Sequence, residues 1–420
     1  MSVTDILGKF SRGTLLRASW TLIDQGFVSL GGFVINVVLA RAILPADYGT
    51  FAIIYGTLLL LQVINTTLVY YPLTISMAAR NTDRNQLLSD AFLLLSALMA
   101  VMAAAVAVGL WSFGEGKLIV SVLSWFLLWQ VQEYLRRVLF AEFRHQVAIL
   151  GDAISYLGQG AIVVLLMAAN AITLPRVFLA MAATSAVAAL IQFVQIKVRL
   201  RRPESLIRTS AAFWKIGGWS LVSSVVITLR TYGLFWFVAV MLGRASAAEF
   251  QAALNVVNLA NPIMLGLCNI IPQTVAHQFE ENRSGAWRSA AQYATLGFVP
   301  TILYYGVVVV APNSILTLFY GAQSHYDTIG RPLAVLAVAF ALNYVTEIIC
   351  SFLHGINSAR EALKINLVGS VLTLALAVPL TNIMGWIGVC VALLVANAVR
   401  LAMSRISLRN AVGHASFSAA

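Results

Sequence analysis

A few ionisable residues lie within segments that are otherwise apolar, and their positions suggest chemistry more directly than any other feature of this chain. Arg17 and Asp24 belong to the first apolar segment, Arg230 lies near the middle of the seventh, and Glu347 lies in the tenth. An ionisable side chain at the centre of a bilayer costs on the order of 2.5–3.5 kcal/mol on insertion scales, so such residues mark functional positions. Arginine is suited to binding phosphate, and an acid at membrane depth is suited to a proton or a small cation.

Ionisable residues in such segments can also have a purely structural role, as ion-pair partners between or within helices. Arg230 is equally able to bridge helices, by pairing with a carboxylate such as Asp24 or with backbone carbonyls. Glu133 and Glu347 lie near helix ends, and Arg136 follows Glu133 by one turn. That spacing favours a local ion pair over a functional role for the two glutamates. For Arg230 and Asp24 the sequence leaves both interpretations open.

Three polar or aromatic side chains are candidates for lining a carbohydrate path. Asn65 lies in the second apolar segment, Tyr232 in the seventh and Asn258 in the eighth. Asparagine amides hydrogen-bond to sugars, but in membranes they more often join neighbouring helices. Aromatic rings stack on sugars, yet they are also ordinary anchors at membrane interfaces. The structural alternative therefore stays open for all three residues.

The composition of the 420-residue chain places it in a membrane. Hydrophobic residues make up 60% and charged residues only 10%, with a mean hydropathy of +0.86. This leaves too little polar surface to cover a water-soluble globule, which excludes the soluble and disordered classes. The net charge of +11 is compatible with nucleic-acid binding, but the basic residues lie in short loops between apolar segments. Membrane topology explains them better, and we expect no nucleic-acid partner.

Twelve apolar segments are long enough to cross a bilayer, which requires roughly 20 apolar residues per helical span. The first is too long for the core of a signal peptide and has no small-residue cleavage site, so we expect it to remain as a helix. The predicted fold class is an all-α polytopic membrane protein with twelve transmembrane helices. The predicted segments are residues 15–40, 51–74, 91–111, 118–134, 149–169, 177–196, 216–242, 250–275, 293–310, 333–353, 365–380 and 386–403.

Basic residues alternate sharply between the two sides of the predicted membrane. If the N-terminal segment and then every second loop are counted, one side holds nineteen Lys and Arg residues and the other holds five. By the positive-inside rule, the basic side and both termini are cytoplasmic. We therefore expect a multi-pass membrane protein whose basic loops face the cytoplasm.

Nothing in the loops resembles the active site of an enzyme. No loop is long enough to form a catalytic domain outside the membrane, and no phosphate-binding loop is present. The five histidines lie in loops or at segment ends without metal-ligand spacing, so we expect neither a metal ion nor a cofactor. Energy for any activity must come from ion gradients or from the substrate.

A basic linker divides the apolar segments six and six. Weak internal similarity supports two parallel repeats, because Glu133 and Asp152 recur as Glu347 and Asn366 at the same spacing. Helices 1 and 7 are then equivalent, so charge in both predicts a shared, wetted cavity between the halves. The predicted parts are an N-terminal six-helix lobe (1–196), a cytoplasmic basic linker (197–215) and a C-terminal six-helix lobe (216–420).

The connection between the first two segments carries a recognisable motif. Residues 39–51 read Leu-Ala-Arg-Ala-Ile-Leu-Pro-Ala-Asp-Tyr-Gly-Thr-Phe. This motif resembles the polysaccharide-transporter family, which contains O-antigen and exopolysaccharide flippases and belongs to the multidrug/oligosaccharidyl-lipid/polysaccharide exporter superfamily. The twelve-helix plan and the basic linker are similar as well. The resemblance implies two six-helix lobes around a central cavity and alternating access.

The resemblance also implies a substrate, an oligosaccharide on a polyprenyl diphosphate that is flipped to the outer leaflet for O-antigen, capsule or exopolysaccharide biosynthesis. Cationic cavity residues hold the diphosphate in such flippases, and Arg17 and Arg230 are our candidates for that role. Asp24 and Glu347 are the candidates for coupling transport to a proton or sodium gradient. The expected partners are the lipid-linked oligosaccharide, membrane lipids, and a polymerase and other polysaccharide-assembly proteins.

Other functions remain open at this point. A cation-coupled small-molecule exporter of the same superfamily is favoured if the cavity is acidic and apolar rather than basic. An integral-membrane polysaccharide polymerase or ligase is less favoured, because those enzymes resemble one another in a large outer loop that this chain lacks. A membrane scaffold without transport activity is the remaining alternative.

Overall fold

The computed structural model describes residues 12–78, 83–197, 201–203, 205–279 and 283–417. All regular secondary structure in these ranges is helical. The twelve long helices are α1 (Arg12–Ala42), α2 (Pro45–Asn65, continued by Tyr71–Ala78), α3 (Arg84–Ser112), α4 (Ile119–Ala141), α5 (His145–Asp152, continued by Gly158–Ala168), α6 (Leu174–Ile196), α7 (Leu206–Leu242), α8 (Arg244–Val257, continued by Asn261–Phe279), α9 (Arg283–Val310), α10 (Gly330–Gly355), α11 (Ala359–Met384) and α12 (Ile387–Phe417).

Each of the twelve predicted segments corresponds to one of these helices. All twelve helices contain a stretch long and apolar enough to cross a membrane, so the predicted all-α polytopic class is confirmed for the described residues. Most of the helices extend beyond the predicted apolar segments. Helix α2 begins at Pro45, where a fixed φ suits a first helical turn, and α7 begins at Leu206, ten residues before its predicted apolar segment.

Three helices change their winding within the membrane. Thr66–Tyr70 in α2 and Ala153–Leu157 in α5 are π-helical, and Asn258–Ala260 in α8 is a 3-10 turn. Such turns insert or remove a residue relative to the regular α-helix, and they are frequent at functional positions. The π-helical turn of α5 directly follows Asp152.

Short connections carry the conformations that tight reversals need. Gly243 between α7 and α8 has a φ of +92°, and Gly385 between α11 and α12 has a φ of +64°. A residue with a Cβ adopts these values only with strain. At the start of α3, Asp83 accepts hydrogen bonds from the backbone N–H groups of Asn85 and Gln86, which satisfies donors that the first turn leaves unpaired.

The chain divides into two compact units. Unit 1 comprises Met1–Ile43 and Tyr55–Val225, and unit 2 comprises Leu44–Ile54 and Val226–Ala420. In unit 1, α4 packs along α6, and α1 packs along α5. In unit 2, α12 packs along both α10 and α11, and α8 packs against α9 and α10. The predicted division at 196 and 216 stays a prediction, and residues 198–200 and 204 of the predicted linker lie outside the described residues.

The family-like motif of residues 39–51 contributes packing residues to unit 2. Tyr48 is fully buried, and its ring meets Tyr326 edge to face at a centroid distance of 6.3 Å. The Cα of Gly49 lies so close to the carbonyl group of Arg244 that a Cβ would overlap it. Thr50 accepts a hydrogen bond from Arg244 Nη1 at 3.3 Å. The motif therefore has a structural role in joining α2 to α8.

Adjacent glycines in α1 provide a matched test of the packing of α1 against α5. A Cβ at Gly31 would overlap the backbone carbonyl of Tyr156 in the π-helical turn of α5, whereas a Cβ at Gly32 would meet nothing within 4 Å. We expect Gly31→Ala to lower the free energy of unfolding by about 1–3 kcal/mol through overpacking. Gly32→Ala is the control and should leave stability unchanged or raise it. Thermal unfolding of the purified variants in detergent measures both, and equal stability would contradict the α1–α5 contact.

Candidate functional site: two buried ionic clusters

Arg136 of α4 is the centre of an ionic cluster inside unit 1. Its Nε–H donates to Asp152 Oδ2 of α5 at 2.8 Å, and its Nη1–H donates to Glu133 Oε2 at 3.1 Å. Its Nη2–H donates to Asp24 Oδ2 of α1. All four residues are buried. We call Asp24, Glu133, Arg136 and Asp152 the acidic cluster, because three carboxylates share one fully enclosed guanidinium.

Two further residues at the edge of the acidic cluster donate hydrogen bonds to its carboxyl groups. Arg137, whose side chain is 35% exposed, donates to Glu133 Oε1 at 2.7 Å. Gln192 of α6 donates to Asp152 Oδ1 at 3.3 Å, and its amide lies against the backbone of Gly151, where a Cβ would not fit. A small residue at position 151 therefore lets α6 deliver an amide to the cluster.

The acidic cluster contains more carboxyl groups than cations. Even with Arg137 included, two guanidinium groups contact three carboxyl groups. Asp24 Oδ1 has no hydrogen-bond partner among the described residues. A buried carboxylate without a partner is costly, so this position is suited to holding a proton or a small cation.

Asn65 lies in a separate amide network of unit 1. Its Nδ2 donates to Gln130 Oε1 of α4 at 2.9 Å, and the hydroxyl of Tyr70 donates to the same oxygen at 2.9 Å. Asn65, Gln130 and Tyr70 are all buried. These contacts join α2 to α4, which is the helix-joining role that polar residues commonly have in membranes.

Arg400 of α12 is the centre of a second cluster, inside unit 2. It is fully buried, and its Nη2–H donates to Glu347 Oε1 of α10 at 2.6 Å. Its Nη1–H donates to Asn343 Oδ1 at 2.6 Å and to Asn397 Oδ1 at 2.9 Å. Asn366 of α11 accepts a further hydrogen bond at 2.5 Å. One carboxylate and three amides therefore hold this guanidinium.

Gly369 explains how so large a side chain is enclosed. The aliphatic part of Arg400 lies directly on the α11 backbone at Gly369, so closely that a Cβ at position 369 would overlap Arg400 Cδ. The absence of a side chain at this position lets α11 and α12 approach with the guanidinium between them. The arginine and the glycine are therefore a coupled pair.

Arg230 of α7 lies within electrostatic range of this second cluster but is not held by it. It is 8% exposed, and it interacts electrostatically with both Arg400 and Glu347. Its Nη1 has no hydrogen-bond partner among the described residues. We call Arg230, Glu347 and Arg400 the basic cluster, because two guanidinium groups face one carboxylate. Among the described residues, guanidinium groups therefore outnumber carboxyl groups in the basic cluster, whereas carboxyl groups outnumber guanidinium groups in the acidic cluster.

The structure places the other predicted site residues as follows. The side chain of Arg17 lies outside the described residues. Tyr232 is half-buried on α7 and stacks with Phe235 at a centroid distance of 6.3 Å. Asn258 is half-buried in the 3-10 turn of α8 and accepts a hydrogen bond from Asn261 at 2.8 Å. These contacts neither require nor exclude a role in a carbohydrate path.

The central roles of two arginines are not apparent from the sequence. Arg136 lies two residues beyond the predicted end of the fourth segment, so its spacing from Glu133 indicates only a local ion pair. Arg400 lies near the end of the last predicted segment, where a cation within an apolar segment is the signal that could have identified it. The predicted local ion pair of Glu133 is confirmed, whereas Glu347 pairs with Arg400 of another helix rather than with a residue one turn away.

Comparisons with known proteins inform the fold. No family model matches the sequence, and no curated protein matches it. Several solved structures do match over nearly the whole chain. The inward-facing conformation of a multidrug resistance MATE family transporter of the MOP superfamily has a TM-score of 0.75 and 13% identity, and the match covers 93% of this chain and 98% of that one.

Two further solved structures also match over nearly the whole chain. A MOP superfamily transporter from Pyrococcus furiosus, described by a reversed polarity of its binding pocket that suggests a different function, matches with a TM-score of 0.66 and 14% identity over 94% of this chain and 95% of that one. The MATE multidrug transporter DinF-BH, solved in complex with a ligand, matches with a TM-score of 0.68 and 12% identity over 96% of both chains. The chain therefore has the MATE fold of twelve helices in two lobes.

Neighbouring arginines test the structural role of the acidic cluster. Arg136→Met leaves three buried carboxylates without their shared cation, and we expect the free energy of unfolding to fall by about 3–5 kcal/mol. Arg137→Met removes the same charge from a partly exposed position and should cost less than about 1 kcal/mol. Thermal unfolding in detergent compares the two variants. If both lost the same stability, Arg136 would not be the centre of the cluster.

Proposed function

We propose that this protein is an alternating-access transporter that flips a polyprenyl-diphosphate-linked oligosaccharide across the bacterial cytoplasmic membrane for surface polysaccharide biosynthesis. The twelve-helix fold of the MATE transporters supports the transporter class. The family-like motif of residues 39–51 supports the polysaccharide branch of the superfamily. The basic cluster supports an anionic cargo, and it is the observation on which this choice of substrate rests.

The argument for the anion starts from Arg230, whose Nη1 has no hydrogen-bond partner among the described residues. A buried guanidinium without a hydrogen-bonded counter-ion is costly, since it has lost its water. Glu347 does not supply the missing charge, because it already accepts from Arg400 at 2.6 Å. An oxyanion such as a phosphate group would supply both the hydrogen-bond acceptors and the negative charge that Arg230 lacks. We therefore assign Arg230 to binding the diphosphate, with Arg17 as the second candidate.

Coupling to an ion gradient is assigned to the acidic cluster. Asp24 carries the carboxylate oxygen that no described residue satisfies, so it is the candidate for gaining and losing a proton or a small cation during transport. Glu347, the other coupling candidate, is 24% exposed and paired with Arg400. Its release from that pair when an anion arrives near Arg230 would connect cargo binding to a change within unit 2.

The remaining assignments complete the proposal. Asn65, Tyr232 and Asn258 are the candidate residues of the glycan path. The basic loops place both termini in the cytoplasm by the positive-inside rule. The proposed partners are the lipid-linked oligosaccharide, surrounding membrane lipids, and the polymerase and other assembly proteins that act on the same glycan.

A second candidate function is a cation-coupled exporter of small molecules. The excess of carboxylates in the acidic cluster favours coupling to a cation, and the DinF-BH multidrug transporter has the same fold. The two candidates differ in their cargo rather than in their coupling. An exporter of cationic drugs has no use for a second buried arginine beside Arg400, and on this ground we prefer the anionic cargo.

Replacement of Arg230 tests whether this arginine binds the diphosphate of the transported glycolipid. In proteoliposomes that contain a fluorescent polyprenyl-diphosphate oligosaccharide, Arg230→Gln should lower the flipping rate about tenfold to a hundredfold, because a hydrogen bond to a charged group contributes about 1.5–3 kcal/mol. Arg331→Gln removes the same charge from an exposed position in unit 2 and is the matched control, which should flip at the wild-type rate.

The same vesicles separate the two candidate functions. Wild-type protein that flips the glycolipid and ignores a cationic dye supports the proposal. Wild-type protein that moves the dye and not the glycolipid establishes the exporter instead. Glycolipid flipping that is unchanged in Arg230→Gln removes this arginine from the mechanism.

Replacement of Asp24 tests the coupling. Asp24→Asn keeps the shape of the side chain and removes its charge, so we expect the variant to fold and to lose the acceleration that an imposed proton or sodium gradient gives the wild type. The flipping rate without a gradient should change little. Asp47→Asn, at an exposed position, is the control. Gradient dependence that survives in Asp24→Asn would place the coupling elsewhere.

A further inference from the structure

The first three turns of α7 present an exposed surface that neither cluster uses. Helix α7 has 37 residues, but only Ser220–Leu242 has the composition of a membrane span. At 1.5 Å per residue the helix is about 55 Å long, against about 30 Å of hydrocarbon, so its first turns extend about 20 Å beyond the span. These turns belong to unit 1.

The side chains of this extension divide into three faces. The face toward unit 1 carries Phe213, which is 3% exposed and packs in the hydrophobic cluster that contains Leu73 and Leu139. Gly217 lies on the same face, against the backbone carbonyl of Thr67. The helix is therefore fixed to unit 1 on one side only.

A second face of the extension, about a quarter turn from the first, is exposed and apolar. Ile207 is 81% exposed and Trp214 is 58% exposed, and at about 100° per residue they share one face with Ala211. The indole of Trp214 lies along the helix over Gly218, where a Cβ would come within 2.8 Å of the ring. An exposed indole next to a membrane span is typical of residues at the level of the lipid headgroups.

Basic residues lie beside this apolar face. Arg208 and Lys215 are seven residues apart, so they share a face that is rotated by about a quarter turn from Ile207 and Trp214. Both are exposed, and Lys215 makes no ion pair among the described residues. A helix with an exposed apolar face flanked by cations is typical of segments that bind the surface of an anionic membrane.

We propose that residues 206–217 form a binding site for anionic phospholipid headgroups. The phosphate of the lipid would lie between Arg208 and Lys215, and its acyl chains would cover Ile207 and Trp214. The lipid holds α7 at a fixed depth in the membrane. Because Arg230 follows Trp214 by sixteen residues, this contact also sets the depth of Arg230, about 24 Å further along the helix.

Photo-crosslinking tests the site without any transport assay, so its outcome is independent of the proposed function. The full-length protein is reconstituted in phosphatidylcholine vesicles with a minority of phosphatidylglycerol, and either lipid carries a photoactivatable headgroup. Peptide mapping then locates the cross-links. We expect phosphatidylglycerol to label residues 206–217 and the yield to fall about fivefold for each charge removed, or about thirtyfold in the Arg208→Gln/Lys215→Gln double variant.

Two further variants test whether labelling depends on the side chains of the proposed site. Arg405→Gln/Arg409→Gln removes two exposed charges from α12 and should not change labelling of residues 206–217. Trp214→Ala should lower labelling by both lipids, because it removes the apolar contact rather than a charge. The proposal is overturned if phosphatidylglycerol does not label residues 206–217, if the Arg208/Lys215 double variant is labelled as the wild type is, or if the α12 variant loses as much labelling.

Discussion

An ionised side chain inside a helix bundle needs a counter-charge, because neither lipid nor packed protein replaces the water it has lost. The described interior of this protein shows this requirement twice. Arg136 donates hydrogen bonds to three carboxyl groups, and Arg400 donates hydrogen bonds to Glu347 and to three amides. Arg230 Nη1 has no hydrogen-bond partner among the described residues, and for that reason we propose that a ligand supplies one.

Each unit encloses a central arginine, and the residues that contact the two arginines lie at related sequence positions but differ in charge. Glu133 and Asp152 in unit 1 recur at the same spacing as Glu347 and Asn366 in unit 2, and in each unit both residues of the pair contact one central arginine. The change from aspartate to asparagine replaces a carboxyl group by a neutral amide in unit 2. The central arginine of the acidic cluster therefore contacts three carboxyl groups, and that of the basic cluster contacts one.

The sequence predicts the helices well because a span must satisfy its own backbone, which makes length and hydropathy sufficient evidence. It also identifies the glutamates as members of ion pairs, since Arg136 lies one turn from Glu133. It does not reveal that Asp24 joins the same arginine, because that contact depends on how α1 packs on α4 and α5. Asn65 likewise required the structure, which shows its amide joined to Gln130. Tyr48 and Gly49 carried the family resemblance, and their structural role in unit 2 was not visible from the motif alone.

The stability of Arg230→Met, measured with and without a short-chain polyprenyl diphosphate, tests the central claim most directly. If the fold tolerates an unpaired charge for the sake of a ligand, the variant should be more stable than the wild type without ligand, by about 1–4 kcal/mol. The diphosphate should then stabilise the wild type, by about 2.7 kcal/mol at a hundred times the dissociation constant, and leave the variant unchanged. A variant that is less stable than the wild type and still responds to the diphosphate would contradict the account.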